Sequence, residues 1–175
     1  MDINVDLKAT QGYYGSAADE NLCDCDYCRN YCRQVRAAYP EVAEYLAGLG
    51  IDIEKPLETS PLEPDEDGYL EYCICQYVAF GTCSAEYYHK LGNVEFGLST
   101  SHPNTGIDGQ HFIIDVYPIR LRYAPRPCRS RSWLIDGRPR QARVRRGLPV
   151  LAPPGGAFAP LAFYEVTCTC CRKST

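Results

Sequence analysis

The apolar positions of this chain change period along its length, and the change predicts where helices give way to strands. Residues 3–8 alternate, Ile3, Val5 and Leu7 against Asn4, Asp6 and Lys8, the period of a short strand. Gly12, Tyr13, Tyr14 and Gly15 then read as a loop. A helix is predicted from near Asp24 to residue 38, with Asp24 or Asp26 as its N-cap. Tyr27, Tyr31, Val35 and Ala38 recur at helical spacing and define its apolar face. Pro40 cannot continue that helix, because it lacks a backbone N–H and restricts Tyr39 before it. It instead opens a shorter helix carrying Val42, Leu46 and Leu49, which Gly48 and Gly50 stop.

Residues 51–68 hold three prolines and a run of acidic side chains, and read as a solvated connector. From Tyr69 the period becomes two. Leu70, Tyr72, Ile74, Val78 and Phe80 share one expected face, and Tyr69, Glu71, Cys73, Cys75 and Tyr77 the other. Val94, Phe96 and Leu98 alternate after Gly92-Asn93. Between Phe112 and Tyr123 the apolar parity switches, which predicts an irregularity near Tyr117-Pro118. Consecutive strands with short links imply an antiparallel meander. The expected class is α+β, an N-terminal helical pair packed on a small antiparallel sheet.

The periodicity stops at residue 123, so the expected domain spans 1–123 and the remainder, 124–175, reads as an irregular tail. Charge sharpens this boundary. Residues 1–123 carry eight basic and twenty acidic side chains (−12), and residues 124–175 carry ten and two (+8). Ten arginines and no lysine fall between 120 and 146, and thirteen of the fourteen tyrosines lie before residue 124. The tail is rich in Arg, Pro, Gly and Ala, residues of GC-rich codons, without a period. An out-of-frame reading produces that pattern, and so does an Arg-rich interaction tail that engages phosphates, as in RNA binding. The single methionine and single tryptophan beside fourteen tyrosines point to a rim of half-buried rings.

Eleven cysteines change the chemical picture. The N-terminus has neither a basic region nor a long apolar run, which implies no secretory leader, no membrane span and a cytoplasmic location. In a reducing compartment many thiols point to metal or redox chemistry; an extracellular setting would instead imply a disulfide framework. Four of them form the run Cys23-x-Cys25-x-x-Cys28-x-x-x-Cys32. On an ideal helix Cys25, Cys28 and Cys32 form a stripe about 60° wide beside the apolar face, and Cys23 folds back from the preceding loop. Thiolates in this density suit zinc, with Cys23, Cys25, Cys28 and Cys32 as ligands. Cys25 and Cys28 are the firm pair, because Cys32 lies more than a turn beyond Cys25. Cys73, Cys75, Cys168, Cys170, His89, His102 and His111 are the other residues able to complete the site.

Two alternatives use the same residues. A thiol at a helix N-terminus is activated, which would make Cys25-x-x-Cys28 a redox pair. An acidic loop with Asp24 and Asp26 opposes the thiolate, however. The remaining reading places Cys among small buried core residues. Arg29, Arg33 and Arg36 run beside the thiol stripe, either to balance a thiolate site or as a solvated face paired with acidic residues. No phosphate loop, H-E-x-x-H or G-x-S-x-G occurs. The pattern therefore favours a non-enzymatic, zinc-stabilised binding or interaction module. The redox protein and the RNA-binding protein stand as alternatives to it.

Overall fold

The computed structural model describes residues 3–16, 18 and 22–124; the predicted tail, and with it Cys168 and Cys170, lies outside the described residues except for Ala124. Three helices and an antiparallel sheet make an α+β fold. Strand β1 (Ile3–Val5) is followed by helices α1 (Leu7–Gly15), α2 (Asp26–Ala38) and α3 (Pro40–Gly48). Strands β2 (Glu58–Pro61), β3 (Tyr69–Cys83), β4 (Tyr88–Leu91), β5 (Val94–Leu98), β6 (His111–Tyr117) and β7 (Ile119–Arg122) complete the chain.

The two helices around Pro40 form where the apolar spacing places them, and the proline sits in the first turn of α3. Two elements depart from the alternation. The expected strand over 3–8 ends at Val5, and the expected loop over 12–15 is helical. Asp6 explains both, because its carboxylate accepts from the Ala9 amide at 2.9 Å and caps α1. The tyrosines of that helix then turn inward, and the Tyr14 hydroxyl donates to the Val78 carbonyl at 3.0 Å while accepting from the Val78 amide at 3.0 Å. In the connector, Thr59 and Pro61 face inward and Glu58–Pro61 forms a strand on β3.

Strand β3 organises the sheet, whose order is β1-β3-β6-β5-β4. The successive strands β4, β5 and β6 form the meander, and β3 joins beyond β6. β6 pairs with Cys75–Phe80 of β3, and β7 continues along Tyr69–Tyr72. The other edge of β3 is taken by β2 and β1. The parity switch at Tyr117-Pro118 divides β6 from β7, and the peptide there is cis. Strand β3 switches parity at the same level. Leu70 and Tyr72 are buried, Ile74 is exposed, and Cys75 and Tyr77 are buried. Tyr72 pairs with Ile119, and Cys75 with Val116, so both strands change face together and the core stays continuous. The expected inward face of β3 therefore holds only in part, because a single alternation was extended across this joint.

β1 approaches β3 so closely that Gly81 is required. Its φ is +121°, and a Cβ there would stand 2.1 Å from the Asn4 carbonyl oxygen.

The expected rim of half-buried rings holds in part: Tyr27, Tyr39, Tyr45, Tyr69, Tyr117 and Tyr123 are half-buried, but others go to the interior. Tyr31, Tyr72 and Tyr77 have no exposed surface, and they fill the space between α2 and the sheet. The rings of Tyr31 and Tyr72 meet edge-on at 4.9 Å. Burial of phenols is possible here because every hydroxyl finds a partner. Tyr31 and Tyr77 bond to one another, Tyr77 donates to the Ile53 carbonyl at 2.9 Å, and Tyr72 donates to the Tyr27 carbonyl at 2.8 Å. Asn30, also fully buried, fixes the end of β7. Its Nδ2 donates to the Arg122 carbonyl at 3.2 Å, and its Oδ1 accepts from the Ala124 amide at 2.9 Å. These contacts set the axial position of α2, and therefore where its first turn presents its thiols.

Candidate metal centre

The first turn of α2 is built by its own sulfur. Cys25, not Asp24 or Asp26, is the N-cap. Its backbone is extended (φ −78°, ψ 161°), and its Sγ accepts from the Cys28 amide at 3.4 Å. The two aspartates serve the surface instead. Arg29 reaches Asp24 at 2.6 Å and Asp26 at 2.7 Å, bracing the turn from outside. These bridges are solvent-exposed, so they orient the turn more than they stabilise it.

Capping by Cys25 aims its sulfur back over the helix start. Cys28, one turn in, points the same way, and Cys23 comes from the preceding loop. The three sulfurs lie within 4.8 Å of one another. Cys28 is buried, and its Sγ lies 3.4 Å from the Thr59 hydroxyl on β2; Cys23 and Cys25 are half-buried. The cluster thus has a protein floor and a partly open mouth. A tetrahedral zinc with Zn–S bonds of about 2.3 Å separates its sulfurs by roughly 3.8 Å, so the cluster needs only a small contraction to hold an ion. The donor set, three thiols and the positive end of a helix, also fits a cation that leaves the site anionic.

Cys32 is not in this cluster. It sits a turn further along α2, half-buried and packed against the core, where burial pushes its thiol up to about 12. Of the other candidate ligands, Cys75 has no exposed surface and lies in the tyrosine layer. Burial pushes its thiol well up, which is the chemistry of a core residue. Cys73 is half-buried on β3, and it too is raised by burial. His111 contacts the Thr105 hydroxyl and the Gly109 carbonyl, and His102 contacts the Pro103 carbonyl. His89 stacks on Tyr45 at 4.2 Å, and its Nε2 is buried without a hydrogen-bond partner among the described residues. No histidine or carboxylate of the described residues joins the three sulfurs.

The electrostatics oppose an activated thiol. Burial raises the Cys25 thiol well above its ordinary value, and the neighbouring Cys28 and Cys23 add to the rise, outweighing the amide it accepts from. Proximity of thiols without a cation suppresses ionisation; a bound cation reverses that balance. No two cysteines among the described residues are joined by a disulfide. The arginine stripe is spent on structure. Arg36 binds Asp52 at 2.6 Å and Glu54 at 2.9 Å, and Arg33 donates to the Ala124 carbonyl at 2.8 Å.

Sequence reasoning missed Thr59 as the wall beneath Cys28. The one available signal was the alternation of Glu58, Thr59, Ser60 and Pro61, which the surrounding acidic and proline residues masked. No helix among the described residues is long and apolar enough to cross a membrane. Comparison with protein-family models, with curated proteins and with solved structures returns no match in any of the three.

Proposed function

We propose that this protein is a non-enzymatic binding or interaction module whose α2 start is fastened by a thiolate-bound metal ion, with zinc as the resident ion. The observation that carries the reading is the meeting of Cys23, Cys25 and Cys28 sulfurs within 4.8 Å. Each side chain has a separate reason to be there: a cap, a first-turn position and a folded-back loop. Zinc would join the loop before α2 to its first turn, and it would displace the protons of thiols that otherwise stay protonated. The raised Cys25 thiol argues against the redox alternative. The arginine-rich segment that the RNA-binding alternative requires lies outside the described residues.

The test is elemental analysis of the full chain, expressed in a reducing cytosol and purified with a thiol reductant. About one zinc per chain is expected, lost when Cys23, Cys25 and Cys28 are together replaced by serine. A folded wild-type protein without metal, even after incubation with zinc, overturns the reading.

A further inference from the structure

We infer that the Cys23–Cys25–Cys28 cluster is also a binding site for trivalent arsenic, taken up from arsenous acid as a neutral trithiolate. The inference goes beyond the zinc reading: it uses the same three sulfurs but stands whether or not zinc is the resident ion.

The three sulfurs lie within 4.8 Å of one another. Thiolate donors select soft centres. Trivalent arsenic is such a centre; it forms three bonds and carries a lone pair in the fourth direction. Three thiols therefore complete it, and a further cysteine or carboxylate from any other part of the chain would add no bond. Zinc takes four donors in its structural sites, so the same triad supplies part of a zinc shell and all of an arsenic one.

The fold places the sulfurs before the ligand arrives. The Cys25 sulfur is held by the Cys28 amide at 3.4 Å, and the Cys28 sulfur lies 3.4 Å from the Thr59 hydroxyl. Ordering lost elsewhere on binding is thus already met here. Cys23 and Cys25 are half-buried rather than enclosed, which lets a small neutral acid reach them. The surroundings favour a product without charge. Asp24 and Asp26 flank the cluster, Glu63 accepts from the Tyr27 hydroxyl at 3.0 Å, and Glu58 precedes Thr59 on β2. An arsenic trithiolate adds no charge to a partly buried site beside these acids. The uptake balances without electron transfer. Three S–H and three As–O bonds break, three As–S bonds form, and the three thiol protons leave with the three hydroxyl groups as water.

The experiment uses the full chain, metal-free and kept reduced with a phosphine, given one equivalent of arsenite and then alkylated while folded. Trypsin cuts after Lys8 and Arg29, so one peptide carries Cys23, Cys25 and Cys28, and Cys32 falls in the next. Arsenite should slow alkylation of the first peptide at least about tenfold, a gain expected of a preorganised site, and leave Cys32, Cys73 and Cys83 reacting as before. X-ray absorption should count three sulfurs and no oxygen around arsenic, a readout that needs no variant. Cys32→Ser should bind as the wild type does, and joint replacement of Cys23, Cys25 and Cys28 by serine should remove one arsenic per chain. Two sulfurs and an oxygen around arsenic, alkylation of the first peptide unchanged by arsenite, or equal protection of Cys73 and Cys83 overturns the inference. Zinc uptake without arsenic uptake overturns it and leaves the zinc reading intact. Arsenic uptake by a folded chain that takes no zinc overturns the zinc reading and leaves this one standing.

Discussion

Cys28 and Cys75 are nearly equal in burial, 5% and 0% exposed, and yet they do different things. Cys28 opens a helix beside two other thiols and a hydroxyl. Cys75 stands in mid-strand among the tyrosine rings that α2 covers. The contrast teaches that burial alone does not assign a cysteine. The neighbours do, through whether they offer further sulfur donors or only packing surface. The two regions are also held differently. The tyrosine layer is fastened by closed hydrogen bonds, Tyr31 with Tyr77, and Tyr77 to the Ile53 carbonyl. In the thiol region the contacts include a sulfur cap, the contact of the Cys28 sulfur with the Thr59 hydroxyl, and exposed ion pairs.

If that contrast is right, the largest effect lies in the tyrosine layer. Tyr31→Ala should cost about 3–5 kcal/mol in urea unfolding, because it opens a cavity and removes the hydroxyl that bonds to the Tyr77 hydroxyl. A cost under about 1 kcal/mol would break the claim that this layer is the core. Next comes the metal. Zinc at a hundredfold excess over its dissociation constant should add about 2.7 kcal/mol to the wild type, a gain that chelation removes. The triple serine variant of Cys23, Cys25 and Cys28 should show none of it. Cys75→Ala sharpens the comparison from the other side. It should cost about 1 kcal/mol for the lost sulfur and leave the zinc-dependent gain unchanged. Equal loss of zinc response in both variants would erase the distinction between the two thiols.

The smallest effect is a pH dependence on the far side of β3. Burial holds the Asp115 carboxyl above its ordinary range, against the Gln76 and Ser99 hydrogen bonds and the nearby His102 that pull it down. A folded value raised above the unfolded one means that the native state holds its proton longer. The contribution is therefore present below the unfolded value and is lost as pH rises through the folded one. Asp115→Asn should flatten that decline in a series of denaturant midpoints taken from acid to neutral pH. An unchanged slope would show that the carboxylate is fully compensated by Gln76.

Much of the scaffold was legible because helical and strand periods are local. Tyr31 and Val35 fall on the inner side of α2, and Pro40 divides two helices, as spacing and proline chemistry require. α1 was hidden because its start depends on the Asp6 side chain and its inward face on Tyr13 and Tyr14, set among glycines that look like a loop. β2 was hidden because four residues hold too little period to stand out from prolines and acids. The double parity switch on β3 was hidden for another reason. It is visible only beside Pro118, a partner more than forty residues away.

The candidate site divides the same way. Sequence by itself determined that thiols are dense at the start of α2, since cysteine spacing and helix phase are properties of a short segment. Only the tertiary structure decided that Cys25 is the cap, that Cys23 folds onto it, and that Cys32 faces the core instead. The reason is physical. A sulfur's direction depends on which backbone amide it accepts from and which wall stands behind it. That amide, that wall at Thr59 and the Asn30 anchor that positions α2 come from parts of the chain that only folding brings together.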